Sequence, residues 1–136
     1  MHSTTRASRF HALTLRRSAD PKVTQNETEV GSSIRSFLSG SSNTASLKRE
    51  DIYFTTKLAV NTSYDAARRS IKESLKQSGL GYIDLFLIHS PYGGKPRRQE
   101  CWKAVEDAID DGEIKSGGVS NYGVKHVSAR TPLVEA

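Results

Sequence analysis

The sequence predicts an α/β fold in which parallel strands alternate with helices. Three observations carry that prediction. The stretch Tyr82 to Gly94, YIDLFLIHSPYGG, has an apolar centre broken only by Asp84 and ends in a Pro and Gly-Gly loop, the pattern of a strand buried on both faces. Around it the segments run strand, helix, strand, helix, strand, the order of consecutive βαβ units. Lys57, His89 and Ser120 fall at the far ends of the three predicted strands, 32 and 31 residues apart. A βαβ unit takes about 30 residues, so one edge of a parallel sheet would collect all three. That edge is where α/β folds place chemistry.

The bulk composition narrows the function classes. A chain of 136 residues with 35% hydrophobic residues suits one domain with a modest core. Residues 1–19 hold Arg6, Arg9, Arg16 and Arg17 and no acid, so the remaining chain carries 16 basic against 15 acidic residues. The body is near neutral, which argues against a nucleic-acid partner. No apolar run approaches the roughly 20 residues of a membrane span. The single Cys101 excludes an intramolecular disulfide and suits a reducing compartment. The basic, acid-free leader has the composition of a mitochondrial transit peptide, but the reading preferred is an irregular arm on a cytoplasmic protein.

Residues 1–25 read as that arm, with Phe10 to Leu15 its only apolar patch and little to set against the entropy of ordering it. Asn26 to Ser39 reads as a helix, with Val30, Ile34, Phe37 and Leu38 on one face, Asn26 as N-cap, and Glu27 and Glu29 in the first turn. Gly40 to Ser46 is a loop. Asp51 to Leu58 is β-rich and carries Lys57 near its end. Asn61 to Ser78 reads as a helix with Ala67, Ile71, Ser74 and Leu75 inward, a Thr62–Asp65 capping box, and Gly79 as its stop. Arg68 and Arg69 fall on its outer face.

Pro96 to Asp111 reads as a third helix with Trp102, Val105, Ala108 and Ile109 inward and Cys101 in the packing. Lys95, Arg97 and Arg98 read as a solvated loop surface. Ile114 to Ser120 is a short strand interrupted by Gly117-Gly118, followed by a turn and a brief helix from Val124. On the residues alone, His89 serves as well as a hydrogen-bonded structural histidine. Lys57 could equally be a solvated cap, and Ser120-Asn121 a plain turn.

REDIYFTTKL, YIDLFLIHSP and GEIKSGGVSNYG, with NETEVGSSIR upstream, resemble the aldo-keto reductase family in order and spacing over about residues 26–127. The resemblance implies a partial (β/α)8 TIM barrel, about strands three to five with their helices, over residues 26–136. It implies a family that reduces small aldehydes and ketones with NADP(H). Lys57 matches the family's lysine, which lowers the pKa of a catalytic tyrosine. His89 matches the histidine that orients the carbonyl. Ser120 and Asn121 match the pair that holds the nicotinamide carboxamide. No metal is implied.

Two departures follow from the same comparison. The tyrosine position is held by Thr24 and the aspartate position by Ala19, with Asp20 beside it. Tyr92 is the phenol nearest His89 in sequence. The chain also reads as a truncated member, since a (β/α)8 barrel takes about 250 residues. The segment that grips the adenosine 2′-phosphate is not among these residues, so cofactor binding by the fragment alone is not expected. Open sheet edges would leave self-association as its one protein partnership.

Overall fold

Two apolar runs, Ile52–Leu58 (β2) and Ile83–Ile88 (β3), form the centre of the sheet in the computed structural model. The model describes the backbone of residues 11–14 and residues 26–127. Their side chains alternate in burial: Phe54, Leu58, Phe86 and Ile88 are buried, while Tyr53, Lys57, Leu85 and Leu87 are half-buried. The helices thus cover one sheet face; on the other, which no described helix covers, Thr55 and Ile83 are also buried.

The cover comes from three helices, α1 (Glu27–Ser39), α2 (Tyr64–Ser78) and α3 (Gly94–Asp110). Ala67 and Ile71 of α2, and Cys101, Ala104, Val105 and Ala108 of α3, join Phe54, Phe86 and Ile88 in one core. Fully burying a large apolar side chain is worth about 1.5–3 kcal/mol, so this face holds the domain together. The last elements are β4 (Ile114–Val119) and a one-turn α4 (Val124–Val127).

The sheet has four strands, because His11–Thr14 forms a further strand, β1. The order is β1-β2-β3-β4 and every pairing is parallel. The expectation of an irregular arm over residues 1–25 is therefore corrected at its one apolar patch. The exposed edge of β2 offers a row of unpaired backbone groups, and a short segment satisfies them whatever its flanking composition. The side chains of Phe10, Leu13 and Leu15 lie outside the described residues.

Local details also differ from the pattern reading. Phe37 and Ile109 are 40% and 37% exposed, so each sits at the rim of its helix's inner face. Ser63, not Thr62, caps α2 by accepting from the Ala66 N–H. Asn26 occupies the N-cap of α1 but makes no side-chain capping bond. Gly79 ends α2 in the left-handed conformation, as its lack of a Cβ permits. Arg68 is not an outer-face residue: it reaches Asp111 at 2.6 Å and Glu113 at 2.8 Å, tying α2 to the turn before β4.

Asp84, the one acid inside an apolar strand, is buried and held through one of its oxygens. Its Oδ2 accepts from Arg49 Nη2 at 2.8 Å and from the Phe54 N–H at 2.9 Å. The same guanidinium donates to the carbonyls of Leu80, Ile52 and Tyr82. It also lies 3.9 Å from the Tyr82 ring centroid. One planar cation thus fixes the N-terminal ends of β2 and β3 against each other. Asp84→Ala would strand a guanidinium and a backbone N–H in a mostly dry site, and is expected to cost about 3 kcal/mol. Asp84→Asn, which keeps an acceptor, should cost less. Urea unfolding of the two variants measures the difference, and an Asp84→Ala midpoint equal to wild type would refute this account.

Candidate active site

Backbone register decides what meets at the C-terminal edge. Lys57 pairs with Leu87, and Leu87 with Gly118. One step on, the His89 N–H donates to the Leu58 carbonyl at 3.2 Å and the Ser120 N–H to the Ile88 carbonyl at 2.8 Å. Residues two apart on a strand share a face. Lys57 therefore lies one row below His89 and Ser120, on the face away from the helices. The three positions singled out in sequence arrive at one end of three neighbouring strands.

Asn121 follows at φ 61°, a left-handed conformation that asparagine tolerates better than most residues. The turn aims its side chain back over the sheet. Nδ2 donates to the His89 carbonyl at 2.8 Å and to Ser120 Oγ at 3.3 Å. Asn121 thereby ties the end of β4 to the residue that follows β3.

Gly117 and Gly118 do not interrupt β4, contrary to the sequence reading. A Cβ on Gly117 would stand 2.4 Å from Val105 Cγ1, and one on Gly118 would stand 2.7 Å from Leu87 Cδ2. Glycine lets α3 press on one face of β4 while Leu87 closes on the other.

Tyr92 is 80% exposed at the crest of the loop after β3. Lys95 and Arg97 are exposed or nearly so. Arg98 is not part of that solvated surface, since its Nη1 donates to the Pro91 carbonyl at 3.0 Å. Cys101 is fully buried, and burial pushes its thiol pKa up, which leaves it a packing residue. Trp102 packs beside it and donates to Glu106 at 2.8 Å. Thr24, Ala19 and Asp20 lie outside the described residues.

Two polar residues escaped the sequence reading. Glu27 is buried, and its Oε1 accepts from Thr56 Oγ1 at 2.6 Å and Ser74 Oγ at 2.9 Å. It anchors the start of α1 to both β2 and α2. Its place in the first turn had suggested only a charge on the helix dipole. Asn61 is also buried and donates twice into the loop after His89. The sequence reading set it at the start of a helix, whereas α2 begins at Tyr64, and no local signal marks Asn61 as buried. A groove of about 560 Å³ runs along α2, lined by Glu27, Arg69, Glu73 and Gln77 among others, and none of Lys57, His89, Ser120 and Asn121 borders it. Among the described residues no cluster of His, Cys, Asp or Glu could hold a metal ion.

A parallel sheet with helices on one face and polar groups at its C-terminal edge is the layout of an α/β-barrel enzyme. The model of the aldo/keto reductase family matches residues 22–131, and the chain belongs to that family. It is 47% identical over 104 residues to an uncharacterized oxidoreductase of Saccharomyces cerevisiae, covering 75% of this chain and 36% of that protein. An uncharacterized oxidoreductase of Schizosaccharomyces pombe is 45% identical over 102 residues, covering 75% and 34%. The chain thus spans about a third of the length of these curated relatives.

Among solved structures, an aldo-keto reductase from a deep-sea metagenome library superposes with TM-score 0.68 at 33% identity, over 82% of this chain and 38% of that one. A Bombyx mori aldo-keto reductase in complex with NADP gives TM-score 0.65 at 35% identity, over 81% and 38%. The chain therefore forms part of an (β/α)8 barrel, and of an oxidoreductase family.

Because α3 rests directly on Gly117, Gly117→Ala is expected to cost about 1–3 kcal/mol by overpacking. Gly118→Ala should cost less, since Leu87 is half-exposed and can turn away. Denaturant midpoints of the two variants give the order, and a reversed order would mean that the helix, not the leucine, yields.

Proposed function

We propose that the barrel to which these residues belong reduces small aldehydes and ketones with NADP(H) in the cytoplasm, and that residues 1–136 alone do not turn over. The alignment of Lys57, His89 and Ser120-Asn121 at one edge of three adjacent strands carries this reading. The solved Bombyx mori relative, which binds NADP, supports the cofactor. The single, buried Cys101 supports the compartment.

The residues present fit a nicotinamide carboxamide. That group needs an acceptor for its NH2 and a donor for its oxygen. With Asn121 Nδ2 committed to the His89 carbonyl, the Asn121 amide oxygen and the Ser120 hydroxyl are left to supply them. When bound, the cofactor supplies a hydride.

The chain's own groups handle the oxygen of the carbonyl. His89, at the end of β3, offers a ring N–H to that oxygen and stabilises the charge that develops there. The proton must then come from an acid within hydrogen-bond reach. A phenol of pKa about 10 serves at neutral pH only if a cation lowers its pKa. Lys57, one row below His89, is that cation. Thr24 stands where the family's tyrosine would be, and a threonine hydroxyl cannot take the role. This supports inactivity of the isolated chain.

The test is a chimera. Residues 26–127 replace the matching segment of the Saccharomyces cerevisiae relative, so that the relative contributes the rest of the barrel. NADPH-dependent reduction of nitrobenzaldehyde is expected, and Lys57→Met should lower it by about 10²–10⁴-fold. A folded but inactive chimera would overturn the reading. For residues 1–136 alone, no turnover is expected. Turnover that vanishes in both Lys57→Met and His89→Ala would instead assign the acid to another phenol, Tyr92 first.

A second reading rests on the open face. Tyr53, Leu85 and Leu87 are half-buried on the side that no described helix covers, and four parallel strands are half of a closed barrel. Two copies joined β4 to β1 and β1 to β4 would bring eight strands together around that face. On this reading the chain acts through self-association and not through catalysis. Sedimentation of residues 1–136 should then give a dimer that Leu85→Lys with Leu87→Lys converts to monomer. A wild-type monomer at all concentrations would exclude it.

A further inference from the structure

The loop that carries His89 leaves the sheet with four consecutive carbonyls, and each is held by a side chain from elsewhere. Asn121 donates to His89 O at 2.8 Å. Asn61 Nδ2 donates to Ser90 O at 2.6 Å and to Tyr92 O at 2.8 Å. Arg98 Nη1 donates to Pro91 O at 3.0 Å. Carbonyls in a surface loop have no ladder partner and ordinarily turn to water. Here none of the four depends on it.

Asn61 is the centre of this clamp. It is 5% exposed, and it sits four residues after Lys57 in the loop between β2 and α2. Its two amide protons go to two carbonyls of the next loop. Gly93 closes the turn at φ 100°, where an added Cβ would come within 3.1 Å of the Asn61 carbonyl. Nearby, Tyr122 packs against the hydrophobic core. Its hydroxyl is buried without a well-formed hydrogen bond, and burial raises its pKa while the Arg98 charge and, less, the Asn61 side chain oppose the rise. The loops after β2, β3 and β4 are thereby fastened to one another at the edge where Lys57, His89 and Ser120 meet.

We infer that Asn61 is a positioning residue: by holding Ser90 and Tyr92 it sets where His89 presents its ring and where Tyr92 stands at the mouth. Its bearing on catalysis rests on the role proposed above for His89. Its bearing on the loop does not. The chemistry demands a primary amide, because two carbonyls on one nitrogen require two protons. Aspartate has the same shape but no donor, and would set a carboxylate against both oxygens.

The test uses the full chain and amide hydrogen exchange followed by NMR. In wild type the Asn61 side-chain protons should exchange at least about tenfold more slowly than those of an exposed asparagine. Asn61→Asp and Asn61→Leu should both raise exchange at Tyr92, Gly93 and Gly94 about tenfold or more, leaving Phe54 and Phe86 unchanged, and both should shift or broaden the His89 ring resonance. Wild-type loop exchange in Asn61→Asp, with only Asn61→Leu affected, would mean that Asn61 merely fills space and would overturn the inference. So would fast exchange of its side-chain protons in wild type, a measurement that stands even where a variant fails to fold. In the chimera, Asn61→Asp should lower kcat with the KM for NADPH unchanged. A chimera inactive before any substitution refutes the catalytic reading, while the exchange data still decide the clamp.

Discussion

The parallel register between β2 and β3 is the constraint on which the rest of the molecule depends. A slip of one residue would turn Lys57 toward the helices and Phe54 toward the open face, because strand side chains alternate with a period of two. Hydrophobic pattern alone resists such a slip. The Arg49 guanidinium adds direction, because it joins three carbonyls, from the start of β2 and the turn before β3, to the Asp84 carboxylate at the opposite end of the sheet from the site. Structure is thereby fixed at the N-terminal edge, and Lys57, His89 and Ser120 are collected at the C-terminal one. That division is usual for α/β barrels.

Polar staples supplement the core wherever helices meet. Glu27 joins α1 to β2 and α2. Arg68 joins α2 to the turn before β4. Tyr64 reaches Asp107 of α3 at 2.8 Å, and Lys103 reaches the same carboxylate, which holds the Asp107 pKa below its usual value. Backbone also meets backbone here: a Cβ on Gly31 of α1 would fall 2.0 Å from the Ser78 carbonyl of α2. Buried polar groups stabilise only when their partners are present. The helix layer is therefore well specified even though no described helix covers the opposite face of the sheet.

The loops at the site are held in a similar way. Asn61, Arg98 and Asn121 give the segment after β3 a set of hydrogen bonds as specific as a ladder, though no strand is there to supply one. A histidine on such a loop keeps a defined place without its neighbours belonging to regular structure. Held geometry of that kind is what a group stabilising developing charge requires.

By itself the sequence determined the α/β class, the two central strands, the three long helices, and the spacing that sends Lys57, His89 and Ser120 to one edge. Each of these follows from local periodicity or from counting along the chain, and neither needs a neighbour. The partners of Asp84, Glu27 and Asn61 were not legible. Their hydrogen bonds span 29 to 47 residues, and nothing local marks a buried acid or amide as satisfied. The same holds for β1, whose strand character comes from the free edge of β2 and not from its own composition. Gly117 and Gly118 read as a break because glycine lowers strand propensity, whereas packing on both faces of β4 leaves room for nothing larger. Tertiary structure decided these points because each depends on atoms brought close only once the sheet has formed.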